Sequence, residues 1–281
     1  MPDVREVDRL TTADPLIRWA AQDLARARAF TDSTGSAVAV ASPGLSMRDR
    51  LAVQGPAEAV IPLVRDVLRD VGPTYRPLGD RELIDALVAA LPGLRPVAGF
   101  GWMDRTQPLA ADHSGVGWLP PAAAPGIATL LDGAFPDSYA RPSPTTTLPR
   151  KRFAPFDFPG RPGVRRWAGV RDPRTGRLAA VAAHAWSAPT VGFIAGVATH
   201  SAARGQGLGR AVCTYVIAEA LADHGTAALV VDDDNEPALR LYRALGLAYR
   251  PLRAASHCCR VKGEQQSHFS SVVICLHQLL S

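Results

Sequence analysis

"THSAARGQGLGRAV", residues 199–212, closes one apolar run, "TVGFIAGVATH" (190–200), and opens another, "LGRAVCTYVIAEALADHG" (208–225). Gly205, Gly207 and Gly209 fall within five residues, between Arg204 and Arg210. A plain turn from a strand into a helix usually needs one glycine. The first amides of a helix lack partners inside it and carry the positive end of the helix dipole. Glycines let that backbone come within hydrogen-bonding distance of phosphate oxygens, since no Cβ stands between. The stretch therefore reads as a phosphate cradle, with amides rather than side chains doing the holding.

Spacing rules out one common cradle and leaves a second, the dinucleotide site, only weakly open. A P-loop ends in Gly-Lys followed by Ser or Thr, and this loop ends Gly209-Arg210-Ala211. Glycines at 205, 207 and 209 give G-x-G-x-G, not the G-x-G-x-x-G of a dinucleotide site. Asp232 to Asp234 lie near the place for a ribose-binding acid. The strand–helix–strand repeat of a dinucleotide fold is nonetheless missing upstream, where three strands follow one another.

Those strands are "VRRWAGVRD", "RLAAVAAHAWSA" and "TVGFIAGVATH", with "DPRTG" (172–176) as the hairpin turn between the first two. Beyond the cradle come a helix closed by Gly225, the strand "TAALVVDDD", the helix "NEPALRLYRALG" closed by Gly246, and the strand "LAYRPL". Residues 115–142 read as a strand and then a helix. The six prolines in 141–163 make that stretch a loop, either a linker or a lid whose Phe153, Phe156 and Phe158 cover an acceptor. Further upstream the pattern predicts a helix over 15–30, a strand over 36–42 and a strand–turn–helix pivoting on Gly55-Pro56. A helix over 80–93 and a strand over 95–106 follow. The expected domains are thus an N-terminal α/β domain at 1–112, a second domain at 113–256, and 257–281 as a terminal strand or an appended tail.

At 281 residues, 47% hydrophobic and 20% charged, the chain can build a sizeable core in one large or two small domains. Its net charge of +5 is scattered and mostly arginine, which suits an anionic ligand and does not make a nucleic-acid tail. No zinc spacing and no RNA-binding aromatic motif occurs. There is no 18-residue apolar stretch, residues 1–22 hold acids and no apolar signal core, and the four cysteines form no C-x-x-C pair. A cytoplasmic protein without membrane, nucleic-acid or metal partners is expected, as a monomer or homodimer.

Arg204-Gly-Gln-Gly207-Leu-Gly209 fits the pattern R/Q-x-x-G-x-G/A, the pyrophosphate motif of the GCN5-related N-acetyltransferases (GNAT fold). "NEPALRLYRALGL" is similar to that family's second signature, N-x-x-A-x-x-L-Y-x-x-L-G-F, at Asn235, Ala238, Leu241, Tyr242, Leu245 and Gly246, with Leu247 replacing Phe. The resemblance covers roughly 114–256, and the first 110 residues look like a degenerate relative of the same fold, as in tandem GNAT proteins. It implies an α/β fold with a mixed, mostly antiparallel sheet between helices. It also implies transfer of an acetyl group from acetyl-CoA, as co-substrate, to a primary amine of a small molecule or peptide.

The resemblance carries roles onto particular residues. The thioester would lie between two splayed parallel strands, those ending near Thr199 and Asp232, with backbone groups of Val197, Ala198 and Thr199 pairing with the pantetheine arm. The pyrophosphate would rest on Arg204, Gly205, Gln206, Gly207, Leu208, Gly209 and Arg210, mostly through amides. Asn235 would bond the pantetheine; read by itself it is an N-cap, and one Asn can do both. Tyr242, two helical turns on, would protonate the departing thiolate. The strand "TVGFIAGVATH" carries no carboxylate, so Asp232 is the candidate base, with His200 and His184 as others. His184 on its apolar strand reads better as a satisfied core histidine, and His200 as a strand end. A protein that lacks a base would be an acyl-CoA sensor or interaction module without turnover.

Overall fold

A computed structural model describes residues 1–97, 99–110, 115–142 and 162–257. The described residues divide into two compact units, one of 1–102 with 250–257, the other 103–249. Two strands, β6 (Phe100–Arg105) and β12 (Ala248–His257), pass from one unit into the other. Residues 103–110 group with the second unit and 250–257 with the first. Arg250 gives a reason: its guanidinium is shared between Asp14 and Asp80, both of the first unit. Leu252–Ala254 then pair antiparallel with residues 78–80.

The first unit opens with helices α1 (Val4–Leu10) and α2 (Pro15–Ala21), each capped by an aspartate, Asp3 and Asp14. The helix expected over 15–30 stops at Ala21. Gln22, Asp23 and Leu24 all take left-handed backbone angles, and Arg28–Thr31 becomes an edge strand, β1. Its pairing with Val38–Ala41 outweighs the helical propensity of an alanine-rich segment. Strands β2 (Val38–Leu45) and β3 (Arg48–Gln54), helix α3 (Ala57–Val71), β4 (Arg76–Asp80), α4 (Arg81–Ala90) and β5 (Leu94–Pro96) complete it. Val60, Val64, Val67 and Leu68 are the buried stripe of α3, the i, i+4, i+7, i+8 spacing of one helix face. β1, β2 and β3 run antiparallel, and β3 and β4 pair parallel across α3.

The second unit follows the expected order. It contains β7 (Val116–Trp118), α5 (Ala124–Ala134), β8 (Val164–Arg171), β9 (Leu178–Ala185), β10 (Gly192–Thr199), α6 (Leu208–His224), β11 (Ala227–Asp232) and α7 (Glu236–Ala244). Strands β7 to β10 are antiparallel neighbours in sequence order, and β10 pairs parallel with β11 across α6. Val212, Val216, Ile217 and Ala220 of α6 close the core over Ala168, Ala180, Ala182 and Ile194 of the sheet. The small alanines let helix and sheet approach closely. Cys213 is buried in the same cluster, where burial pushes its thiol up to about 12. Gly225, left-handed at φ +78°, ends α6 by donating to Leu221, a C-terminal glycine stop.

The proline-rich segment with Phe153, Phe156 and Phe158, and the terminal cysteines Cys258, Cys259 and Cys275, lie outside the described residues. Among the described residues no helix is long and apolar enough to cross a membrane.

Candidate active site

The site is built where β10 and β11 part. Their ladder registers at Gly192–Ala227 and Phe193–Ala228, the first two positions of each strand. Three residues on, β10 bulges: Ala195 faces Ala183 and Ala198 faces Val181, so β10 spends one more residue than β9. Gly196 sits in that bulge with φ +61°, and a Cβ there would stand 2.5 Å from Cη2 of Trp167. Glycine is needed for both reasons, the left-handed backbone and the indole beneath. The bulge turns the end of β10, carrying Val197, Ala198 and Thr199, away from a regular ladder.

The glycine loop stands at that open end, because β10 runs directly into it. Gly205 and Gly207 have φ of +75° and +76°, and a Cβ on either would meet nothing within 4 Å. Their glycines answer to backbone angle and to open space, not to packing. Gly209 differs: a Cβ there would lie 2.8 Å from Oγ1 of Thr199, so it is small because strand and helix touch.

Helix α6 starts at Leu208 with Gly207 as N-cap and no side chain capping it; its first internal bond runs from the Ala211 amide to the Gly207 carbonyl, 2.9 Å. The amides of Leu208, Gly209 and Arg210 therefore have no acceptor within the helix, the arrangement that binds anions. Gln206 braces the loop by donating from Nε2 to the Ala202 carbonyl at 3.2 Å, and the Arg204 amide donates to Ser201. Arg210 is exposed on the first turn.

On the other strand, Asp232 ends β11 and is 7% exposed. The three acids diverge: Asp232 turns inward, Asp233 takes the Tyr249 hydroxyl through Oδ1, and the Asp234 carbonyl accepts from the Glu236 amide. Asn235 is buried and caps α7, its Oδ1 accepting from the Ala238 amide at 3.1 Å. Tyr242 is packed in the core with Val231, Ala238 and Leu239.

The two histidines are placed differently from each other. His200 is exposed and caps the short 3-10 turn after β10, with Nδ1 accepting from the Ala202 amide at 3.2 Å. His184 is buried on β9, and burial pushes it down to about 4. It is buried as a core histidine would be, with a hydrogen bond to the Val216 backbone, while its Nε2 finds no hydrogen-bond partner among the described residues. Its chain neighbours on β9 are alanines, which offer no acceptor or donor side chain.

Gly196 and Trp167 were not singled out from the sequence. A glycine inside the apolar run "FIAGVAT" was the available signal, since a glycine in a strand often marks a bulge.

Residues 127–247 match the model of the acetyltransferase (GNAT) family, a span that takes in the bulge, the glycine loop, Asn235 and Tyr242. The solved structure of a GNAT-family protein from Novosphingobium aromaticivorans is similar over 87% of this chain and 97% of its own, at 20% identity and a TM-score of 0.52. A GCN5-related N-acetyltransferase from Kribbella flavida covers 92% and is itself covered to 96%, at 17% identity and TM-score 0.53. A Drosophila protein matches over 90% of this chain and 96% of its own, at 12% identity and TM-score 0.57. At such identities the likeness is one of fold, and it extends across both units. No curated protein matches the chain. The family's match falls on the residues that build the open strand pair and its amide cradle, so residues 127–247 carry an acetyltransferase domain of the GNAT type.

Proposed function

We propose that the protein moves an acetyl group from acetyl-CoA directly to a primary amine of a small molecule or peptide in the cytoplasm, as a monomer or homodimer. The observation that carries this is the parallel pair β10/β11, registered only at its start and opening toward a helix whose first amides are uncapped. The open edge of Val197, Ala198 and Thr199 takes the pantetheine arm as a further strand would. The amides around 205–210 take the pyrophosphate, with Arg204 and Arg210 adding charge, and Asn235 bonds the arm from the α7 side. A strand amide polarises the thioester carbonyl as charge develops on its oxygen.

The amine nitrogen then bonds to the carbonyl carbon and the carbon–sulfur bond breaks. Asp232 takes the amine proton, directly or through a water, and the Tyr242 hydroxyl gives a proton to the leaving thiolate. The first unit, with the same strand order around α3, is in this reading a degenerate copy of the fold. One observation favours a second reading, an acyl-CoA sensor without turnover: β10 from Gly192 to Thr199 carries no carboxylate.

Calorimetric titration with acetyl-CoA, CoA and NAD, followed by thiol release against a panel of amines, tests both. CoA binding with amine-dependent thiol release is the expected result. CoA binding without release across the panel moves the weight to the sensor. A folded sample that prefers NAD, or ignores CoA, overturns the proposal.

A further inference from the structure

Away from the glycine loop, the far end of α6 brings three metal-ligand side chains together. His184 on β9, Asp223 and His224 offer ligand atoms that all lie within 4.8 Å of one another. Helix α6 runs 17 residues from Leu208 to His224, so this cluster and the cradle are about 24 Å apart along its axis. We propose that His184, Asp223 and His224 form a zinc site that ties β9 to the C-terminal end of α6, independent of the acyl-transfer chemistry.

The two imidazoles are prepared for it. Nδ1 of His224 lies 3.1 Å from the Pro189 carbonyl. A carbonyl only accepts, so in the neutral ring Nδ1 carries the proton and Nε2 the lone pair, the arrangement in which a backbone carbonyl orients a metal-binding histidine. His184 is 2% exposed, and its Nε2 has no partner among the described residues. A buried polar atom left this way costs free energy and calls for a partner. Gly192 lets His224 come in over the sheet: a Cβ there would stand 2.9 Å from its Cδ2. The C-terminal end of a helix, with its unpaired carbonyls, is the end that favours a cation.

One positive charge opposes the site. Arg166, the cross-strand neighbour of His184, pairs with Asp223 and also lies over the Trp118 ring at 4.0 Å. Trp118 in turn donates from Nε1 to Glu219 at 3.0 Å. The arginine–aspartate pair is partly exposed, where solvent screens it and it contributes little, so a metal can take Asp223 while Arg166 stays on the indole. Tetrahedral zinc with bonds of about 2.0–2.1 Å sets its ligand atoms about 3.4 Å apart. The cluster must therefore close by up to about 1.4 Å, through the side chains of Asp223 and His224 at the helix end. Two imidazoles and one carboxylate suit zinc and not magnesium or calcium, which take oxygen ligands.

The test uses the full chain, stripped with chelator and titrated with zinc chloride by calorimetry, with cobalt(II) as the spectroscopic probe. One equivalent should bind with tetrahedral cobalt bands and no thiolate-to-metal charge transfer, and zinc should raise the melting temperature. His224→Gln and Asp223→Asn, both near the surface, should each weaken binding by about tenfold or more and remove the thermal shift. His184→Gln adds the buried ligand, provided it folds. Undiminished affinity in the His224 and Asp223 variants, a thiolate charge-transfer band pointing to the terminal cysteines, or no binding would each overturn the site.

Discussion

Both units carry two parallel strands joined by a helix, and the two crossovers begin differently. In the first, β3 ends at Gln54 and α3 starts at Ala57, with Gly55 and Pro56 between. In the second, β10 ends at Thr199 and α6 starts at Leu208, with residues 200–207 between. A Cβ on Gly55 would stand 2.5 Å from the Ser36 carbonyl oxygen, whereas one on Gly205 or Gly207 would meet nothing. Pro56 has no amide hydrogen to offer a ligand. The ladders differ as well: β3 and β4 register over three successive pairs, Arg50–Arg76 to Ala52–Leu78, whereas β10 and β11 register over two and then part. The same topology is thus packed shut in one unit and left open in the other. Glycine serves packing in the first case and an approaching ligand in the second.

The largest expected effect sits on the helix after the second parallel strand. Asp80 precedes α4 as Asn235 precedes α7, and seven residues on stand Leu87 and Tyr242, both buried. The first unit shows that a hydrocarbon at this position is enough for packing, so what Tyr242 adds is its hydroxyl. Tyr242→Phe should lower kcat by about a hundredfold, the low end for a general acid, with CoA affinity unchanged in a binding titration. A kcat within a factor of two of wild type would remove Tyr242 from the chemistry.

Next in size are the two glycine loops. Gly207→Val should weaken CoA by about a hundredfold, since a branched side chain both strains a left-handed position and crowds the amides. Its circular dichroism should match the wild type. Gly55→Ala should do the reverse, costing on the order of 3 kcal/mol of stability in denaturant titration through the clash with Ser36, with little change in CoA affinity. Calorimetry of the wild type should accordingly give one CoA per chain. A stoichiometry of two would show that the Gly55-Pro56 turn is not closed.

What made the second crossover legible in the sequence was local. Gly205, Gly207, Gly225 and Gly246 occupy left-handed positions at loops and helix ends, and such positions announce themselves by residue type. The order from β8 to α7 followed from them and from the apolar runs between. Non-local choices were hidden. The segment 22–31 has the composition of a helix, and only its pairing with β2 makes part of it a strand. The bulge at Gly196 depends on Trp167 two strands away, which no spacing along β10 reveals. The unpartnered Nε2 of His184 depends on which side chains α6 lays over it, and the apolar pattern of β9 pointed to plain core.

The smallest expected effect separates the two uses of Asn235. Asp80 begins α4 without a side-chain cap, its carboxylate being taken by Arg250, so this fold tolerates an uncapped helix at that place. Asn235 caps α7 through Oδ1, and a carrier arm would need its amide nitrogen as donor. Serine keeps a capping oxygen and removes the amide donor; alanine removes both. Asn235→Ser should therefore stay within a few tenths of a kcal/mol of wild-type stability, and Asn235→Ala should lose about 1 kcal/mol. Both should weaken CoA by the same few-fold if the amide reaches the pantetheine, because both lack the donor. If serine binds CoA as tightly as asparagine, the residue is a cap and nothing more, and the arm is held by β10 and the glycine loop alone.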